Sequence, residues 1–129
     1  MHAINIRAAW EAFDADAPGP ALRLGLPLDW SAVAWPEGRP PARVRLVRRF
    51  GRAPGVDPDA SPRIRLRGFA GVVAIELNDA PVSFRDEDGW LVVDAVDLQP
   101  RNALTVLVDL ARAADAPGLW GNRAFLEYD

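Results

Sequence analysis

Residues 63–82, RIRLRGFAGVVAIELNDAPV, decide the fold. Ile64 and Leu66 alternate with Arg63, Arg65 and Arg67, the two-residue period of a strand with one apolar and one charged face. After Gly68-Phe69-Ala70-Gly71 the alternation resumes in VVAIEL, which sets Val73, Ile75 and Leu77 on one face. Asn78-Asp79 then leads into PVSF and reads as a hairpin turn, although Asp is a poorer left-handed residue than Gly.

The same period extends in both directions. In INIRAAWEAF, Ile4, Ile6, Ala8 and Trp10 occupy every second position of one expected strand. LRLGLPLDW repeats the pattern through Leu22, Leu24, Leu26, Leu28 and Trp30, and Pro27 marks an edge strand or an extended loop. SAVAWPEGRPPA is a Pro-rich connection. ARVRLVRRF alternates until Arg48, where a bulge would restore the phase. WLVVDAV, ALTVLVDL and RAFLEY complete the set, separated by QPRN and ARAADAPGLWGN. About eight short strands, turn signals between them and no convincing helix predict an all-β sandwich or barrel, one domain over residues 1–129.

Composition excludes much chemistry. There is no Cys, which removes disulfides, thiolate metal sites and thiol nucleophiles. All 15 basic residues are Arg, so no Lys is present to form a Schiff base or a phosphate loop. The single His is His2, beside the N-terminus, and Ser31, Ser61, Ser83, Thr105 and Tyr128 are the only hydroxyls. A net charge of −3 argues against nucleic acid as a partner, and no apolar run is long enough to span a membrane. A cytoplasmic protein without cofactors is the expectation.

Several fragments fall in an order that resembles the sugar-binding domain of family 2 glycoside hydrolases, the β-galactosidase and β-glucuronidase group. They are IRAAWE, LPLDW, RVRLVRRFG, RIRLRGFAGVVAIELNDAPV, AVDLQPRNALTVLV and GLWGNRAFLEY, and together they span nearly the whole chain. The family's strand with a basic residue and an aromatic is matched at Arg49-Phe50, its V-x-L-N-G hairpin at AIELND, and its G-G-I-W loop at GLWGNRAFL. Asp79 stands where the family has Gly, and Ala95-Val96-Asp97 only loosely follows its Asp-Val-Thr. The resemblance implies a jelly-roll β-sandwich, galactose-binding-domain-like, and a sugar-binding surface. It transfers no catalytic residue, because in the family a separate barrel carries the catalytic glutamates, so a stand-alone domain and no enzyme activity are expected. AVDLQPRNALTVLV then reads as scaffold: two strands joined by a turn that Asn102 caps in a left-handed conformation.

Sugar sites stack an aromatic face on the ring and bond its hydroxyls with Asp, Asn, Glu or Arg. Trp30, Trp35 and Trp120 lie in or beside loops, with Asn122 and Asp29 as polar neighbours, whereas Trp10 and Trp90 fall in strands and read as core. The loop tryptophans have a plainer use as plugs for the open ends of the sandwich. Arg43, Arg45 and Arg49 would join Arg63, Arg65 and Arg67 in a basic stripe if their strands share a sheet, and Glu76, Asp94, Asp109 and Glu127 are placed to neutralise them. Asp57-Pro-Asp59 and Asp86-Glu87-Asp88-Gly89 are candidate Ca²⁺ loops. Among Glu11, Glu37, Asp57, Glu76 and Glu87 nothing singles out a hydrolytic pair. Two functions remain: carbohydrate binding, or protein assembly as a homodimer or with a protein partner, through WPEGRPP with Val33 and Trp35.

Overall fold

The alternating arginines and apolar residues of 63–67 form a strand whose charged side faces out. In the computed structural model, which describes residues 2–36, 38–52, 57 and 61–128, this strand lies in one of two antiparallel sheets. The strands are β1 (His2–Asn5), β2 (Trp10–Asp14), β3 (Leu22–Leu24), β4 (Arg43–Gly51), β5 (Arg63–Arg67), β6 (Val72–Leu77), β7 (Ala80–Val82), β8 (Arg85–Glu87), β9 (Trp90–Asp94), β10 (Arg101–Asp109) and β11 (Arg123–Tyr128). One sheet runs β1-β11-β5-β9-β8 and the other β3-β2-β4-β10-β6-β7. This is a jelly-roll β-sandwich. The strands outnumber the expected eight because INIRAAWEAF makes two of them and because β8 is too brief to show a period.

The inner faces close on one core. Val44 and Leu46 from β4, Leu104, Val106 and Val108 from β10, and Ile75 and Leu77 from β6 meet Ile64, Leu66, Val93, Ala124 and Leu126 from the other sheet. INIRAAWEAF is split where one strand is expected. The chain leaves the first sheet after Asn5, passes Ala9 at φ 61°, and enters the second at Trp10. Ile6 and Trp10 still face inward, and the Trp10 indole donates to the Ile6 carbonyl at 2.7 Å across that crossing.

AVDLQPRNALTVLV also crosses between sheets. Residues 95–98 belong to no strand, since β9 ends at Asp94 in one sheet and β10 begins at Arg101 in the other. Asp97, not Asn102, takes the left-handed conformation, at φ 56°. Asn102 is the buried clamp: its side chain accepts from the Gln99 N–H and donates to the Gln99 carbonyl, both at 2.8 Å. It also accepts from the Asn78 amide at 3.0 Å. Asn78 in turn accepts from the Ala103 N–H at 2.8 Å, so the β6-β7 turn is tied to β10. Asn78 and Asp79 have φ 53° and 65°, the two-residue turn that the sequence indicates, made without Gly.

Two other expectations change. β4 has no bulge; it pairs continuously with β10 from Gly51 to Arg43, so Arg48 takes an inward position opposite Trp10 and Leu104, and burial pushes its pKa down. The irregularity lies instead between β6 and β10, where Val72 opposes Val108 and Val73 is left exposed. Within ARAADAPGLWGN a helix, α1 (Leu110–Asp115), follows Asp109, whose carboxylate caps it by accepting from the Arg112 N–H at 3.3 Å.

Gly71 admits α1 to the sandwich. Its φ is 85°, and an added Cβ would lie 2.7 Å from the Asp109 carbonyl oxygen and 2.8 Å from the Ala113 nitrogen. Gly71→Ala is therefore expected to lower the urea midpoint with a loss of at least about 1–3 kcal/mol, the cost of such a strained backbone alone. Unchanged stability would show that neither the left-handed backbone nor the contact with α1 constrains this position.

Candidate functional site

The loop tryptophans are joined by ring contacts that start in the core. Trp10 touches Phe69 at 6.2 Å between centroids, Phe69 touches Trp120 at 4.5 Å, and Trp120 meets the edge of Trp30 at 5.2 Å. Trp30 then stacks on Trp35 at 6.1 Å with the planes 5° from parallel. Exposure is only 3% at Trp120 and 6% at Trp30, so most of both rings is packed against protein. Trp35 is half-buried and still reaches a cleft.

The five site residues divide between two clefts. Asp29, Trp30, Trp120 and Asn122 come together around a cavity of about 220 Å³ that Gly68, Ala113, Pro117 and Leu119 complete. A backbone bridge between Leu28 and Trp120 holds the two loops side by side. Asp29 caps a single 3₁₀ turn, Trp30–Ala32, and the Ser31 hydroxyl (2.7 Å) and then the Ser31 N–H (3.0 Å) hold its carboxyl below the usual carboxylate range. Both of those bonds end on one Asp29 oxygen. The Trp120 indole donates to the Ala70 carbonyl at 2.8 Å, whereas the buried Trp30 indole N–H has no protein acceptor.

Trp35 lines the other cleft, about 340 Å³, with Asp14, Leu22, Arg39 and a frame of prolines at 18, 20, 36, 40 and 41. Proline has a fixed φ and no N–H, so this frame is stiff and supplies no backbone donor of its own. Arg39 is the cation among the described lining residues and Asp14 the carboxylate. Leu22 ties the cleft to β3 and Ala12 ties it to β2. Asp14 and Arg39 carry no sequence signal beyond residue type; Asp14 is brought to the indole at the end of β2, and Arg39 by the Pro-rich segment that follows Trp35.

Trp90 is not core. It stands on the outer face of β9, with the Arg65 guanidinium 4.4 Å and the Arg67 guanidinium 5.6 Å from its ring centroid. β4 and β5 lie in different sheets, so the two arginine rows form no common stripe. Buried Glu127 takes Arg65 at 3.2 Å and Arg63 at 3.5 Å, and Asp94 pairs with Arg85 at 2.8 Å. Glu11 bonds Arg49, and Glu87 bonds Arg85 at 3.2 Å. Asp59 and Glu37 lie outside the described residues, and among those described no three acidic or His side chains gather as a metal site. Each of the two clefts is lined by one described carboxylate, where glycoside hydrolysis uses two.

No protein-family model matches the sequence, and no curated protein matches it. Solved structures do. A GH2 β-galacturonidase from Eisenbergiella tayi bound to glycerol superposes with a TM-score of 0.69 at 16% identity, over 98% of this chain and 24% of that one. The same kind of enzyme from that organism bound to galacturonate gives 0.68 at 15% identity, again over 98% and 24%. An FMN-binding β-glucuronidase from Facaelibacterium prausnitzii L2-6 gives 0.63 at 16% identity, over 97% and 22%. The chain thus spans about a quarter of the length of these enzymes and has the fold of a domain within them.

Burial sorts the tryptophans by what their loss should cost. Trp120→Ala and Trp10→Ala should each lose about 3–5 kcal/mol of stability in urea denaturation. Trp35→Ala, which returns less area from water, should lose no more than about 1–2 kcal/mol. Trp90→Ala should fall between, since two cation–π contacts of about 0.5–1 kcal/mol go with it. Equal losses at all four positions would contradict this ordering.

Proposed function

We propose that the chain is a non-catalytic carbohydrate-binding module, resembling the sugar-binding domain of family 2 glycosidases, that stacks a sugar ring on Trp35. The observation that carries the reading is a half-buried indole set in a stiff, donor-poor proline cleft beside one cation and one carboxylate. Pyranose rings have an apolar face for the indole, and their hydroxyls supply the donors that the proline frame lacks. Arg39 provides charged donors for a ring substituent, and Asp14 accepts. Stiff walls reduce the ordering cost of binding, which suits a weakly binding module. The structural neighbours named for uronic sugars, one of them bound to galacturonate, make uronates as well as neutral hexoses the ligands to try first.

Absence of catalysis is supported by chemistry the chain lacks: no Cys, no Lys, one His near the N-terminus, and single carboxylates in the clefts. A second reading, an assembly subunit with no sugar ligand, is favoured by arginines on the outer face of the β5 sheet, Arg67 and Arg123 among them, that have no acidic partner among the described residues.

Glycan-array screening followed by calorimetry on the best binder tests the module. Wild-type protein should bind, and Trp35→Ala and Arg39→Ala should each weaken binding at least about tenfold, or about 1.4 kcal/mol. Binding that Trp35→Ala leaves intact, or a wild-type protein that binds no glycan, refutes the site. Aryl glycosides should not turn over. Hydrolysis that survives purification and vanishes on replacing one carboxylate would show an enzyme instead.

A further inference from the structure

On the outer face of the β5 sheet, the described residues without an acidic partner, Arg7, Arg67 and Arg123, fall in one row, whose far end is Glu87, exposed and bonded to Arg85 at 3.2 Å. Arg123 of β11 lies directly opposite Arg67 of β5, which lies opposite Trp90 of β9, which lies opposite Glu87 of β8. On the other side, the chain continues past β1 in the same register, with the Ile6 N–H on the Ala124 carbonyl, and Arg7 reaches the Asn122 carbonyl at 3.5 Å. Three guanidinium groups are therefore strung over about 10 Å, given a strand spacing of about 4.8 Å. Like charges directly opposite on neighbouring strands destabilise a sheet. Arg7, Arg67 and Arg123 have no acidic partner among the described residues, whereas Arg63 and Arg65 share Glu127 and Arg85 holds Glu87 and Asp94.

The row has opposite signs at its two ends. Past Trp90 come Glu87 and the turn at Asp88-Gly89. We infer that this face docks on a second copy of the chain, the basic end of each row against the acidic end of the other. A two-fold axis between β5 and β9 sets Arg123 opposite Glu87 of the partner subunit and Arg67 opposite Trp90 of the partner subunit. The contact is then isologous, and each of its two halves joins a cation to an anion and a cation to an aromatic face. A net charge of −3 on each chain disfavours nucleic acid as the occupant, and a flat sheet face suits a protein surface better than a small ligand. Five strands at about 4.8 Å and five residues at about 3.3 Å give a face of about 24 by 17 Å, so the dimer is a weak one. This inference does not rest on sugar binding; the Trp35 cleft lies among other residues.

Static light scattering on the full chain from about 10 µM to 1 mM tests it. At low salt the average mass should rise toward twice the monomer, and about 0.5 M NaCl should reverse the rise, because exposed charge pairs are screened. Arg123→Glu and Glu87→Arg should each hold the protein monomeric with an unchanged circular dichroism spectrum. An equimolar mixture of the two variants should regain the dimer, since every swapped charge then meets its opposite. A wild-type protein that stays monomeric, self-association untouched by Arg123→Glu, or a mixture that fails to recover would each overturn the inference.

Discussion

The stacking of Trp30 on Trp35 is the contact on which the candidate site depends. It is the outermost link in a run of rings, Trp10, Phe69, Trp120, Trp30 and Trp35, that begins at a fully buried side chain and ends at a cleft. Two of its members are also pinned by their indole N–H groups, Trp10 to the Ile6 carbonyl and Trp120 to the Ala70 carbonyl. Rings packed in this way confine one another to few rotamers. A loop of Pro, Gly and small residues can therefore present a fixed aromatic face without strands of its own.

The outer faces solve a different problem with one residue type. Val92 is fully buried although it faces away from the core, and Glu127 is nearly so. Arginine stems and guanidinium planes lie across this sheet, over Trp90 and against Glu127, and remove apolar surface from water while keeping charge at the rim. Lysine stacks less well on rings and does not grip a carboxylate bidentately, which gives a physical use for a basic set made wholly of Arg. Among the described residues, Arg7, Arg67 and Arg123 are the cations of this layer without an acidic partner.

Much of the fold is legible in the residues because the core strands keep strict alternation. β5 and β11 fall where expected, β10 begins two residues before ALTVLVDL and gives up Leu110 to α1, and Asn78-Asp79 makes the expected turn. What escapes the reading is three-dimensional. Alternation continues across Ala9 although the strand changes sheets there, because inward and outward are preserved when the chain crosses the sandwich end. The helix after Asp109 shows only a capping residue and Leu-Ala-Arg-Ala-Ala, too short to display a helical stripe. Trp90 obeys strand period but falls on the outer phase, which its arginine neighbours on β5, not its own segment, make habitable. Of the site, Asp29, Trp30, Trp120 and Asn122 do meet, yet the accessible indole is Trp35, whose cleft partners are Asp14 at the end of β2 and Arg39 in a Pro-rich segment with no period to follow.

The central claim is that one indole of five is held ready for a ligand, and the indole N–H signals of ¹⁵N-labelled protein report on it directly. Titration with the glycan that binds should shift the Trp35 signal most and that of its stacked neighbour Trp30 next, while Trp10, Trp120 and Trp90 stay in place. A ligand that moves Trp90 and leaves Trp35 still, or one that shifts all five signals alike, would contradict the account.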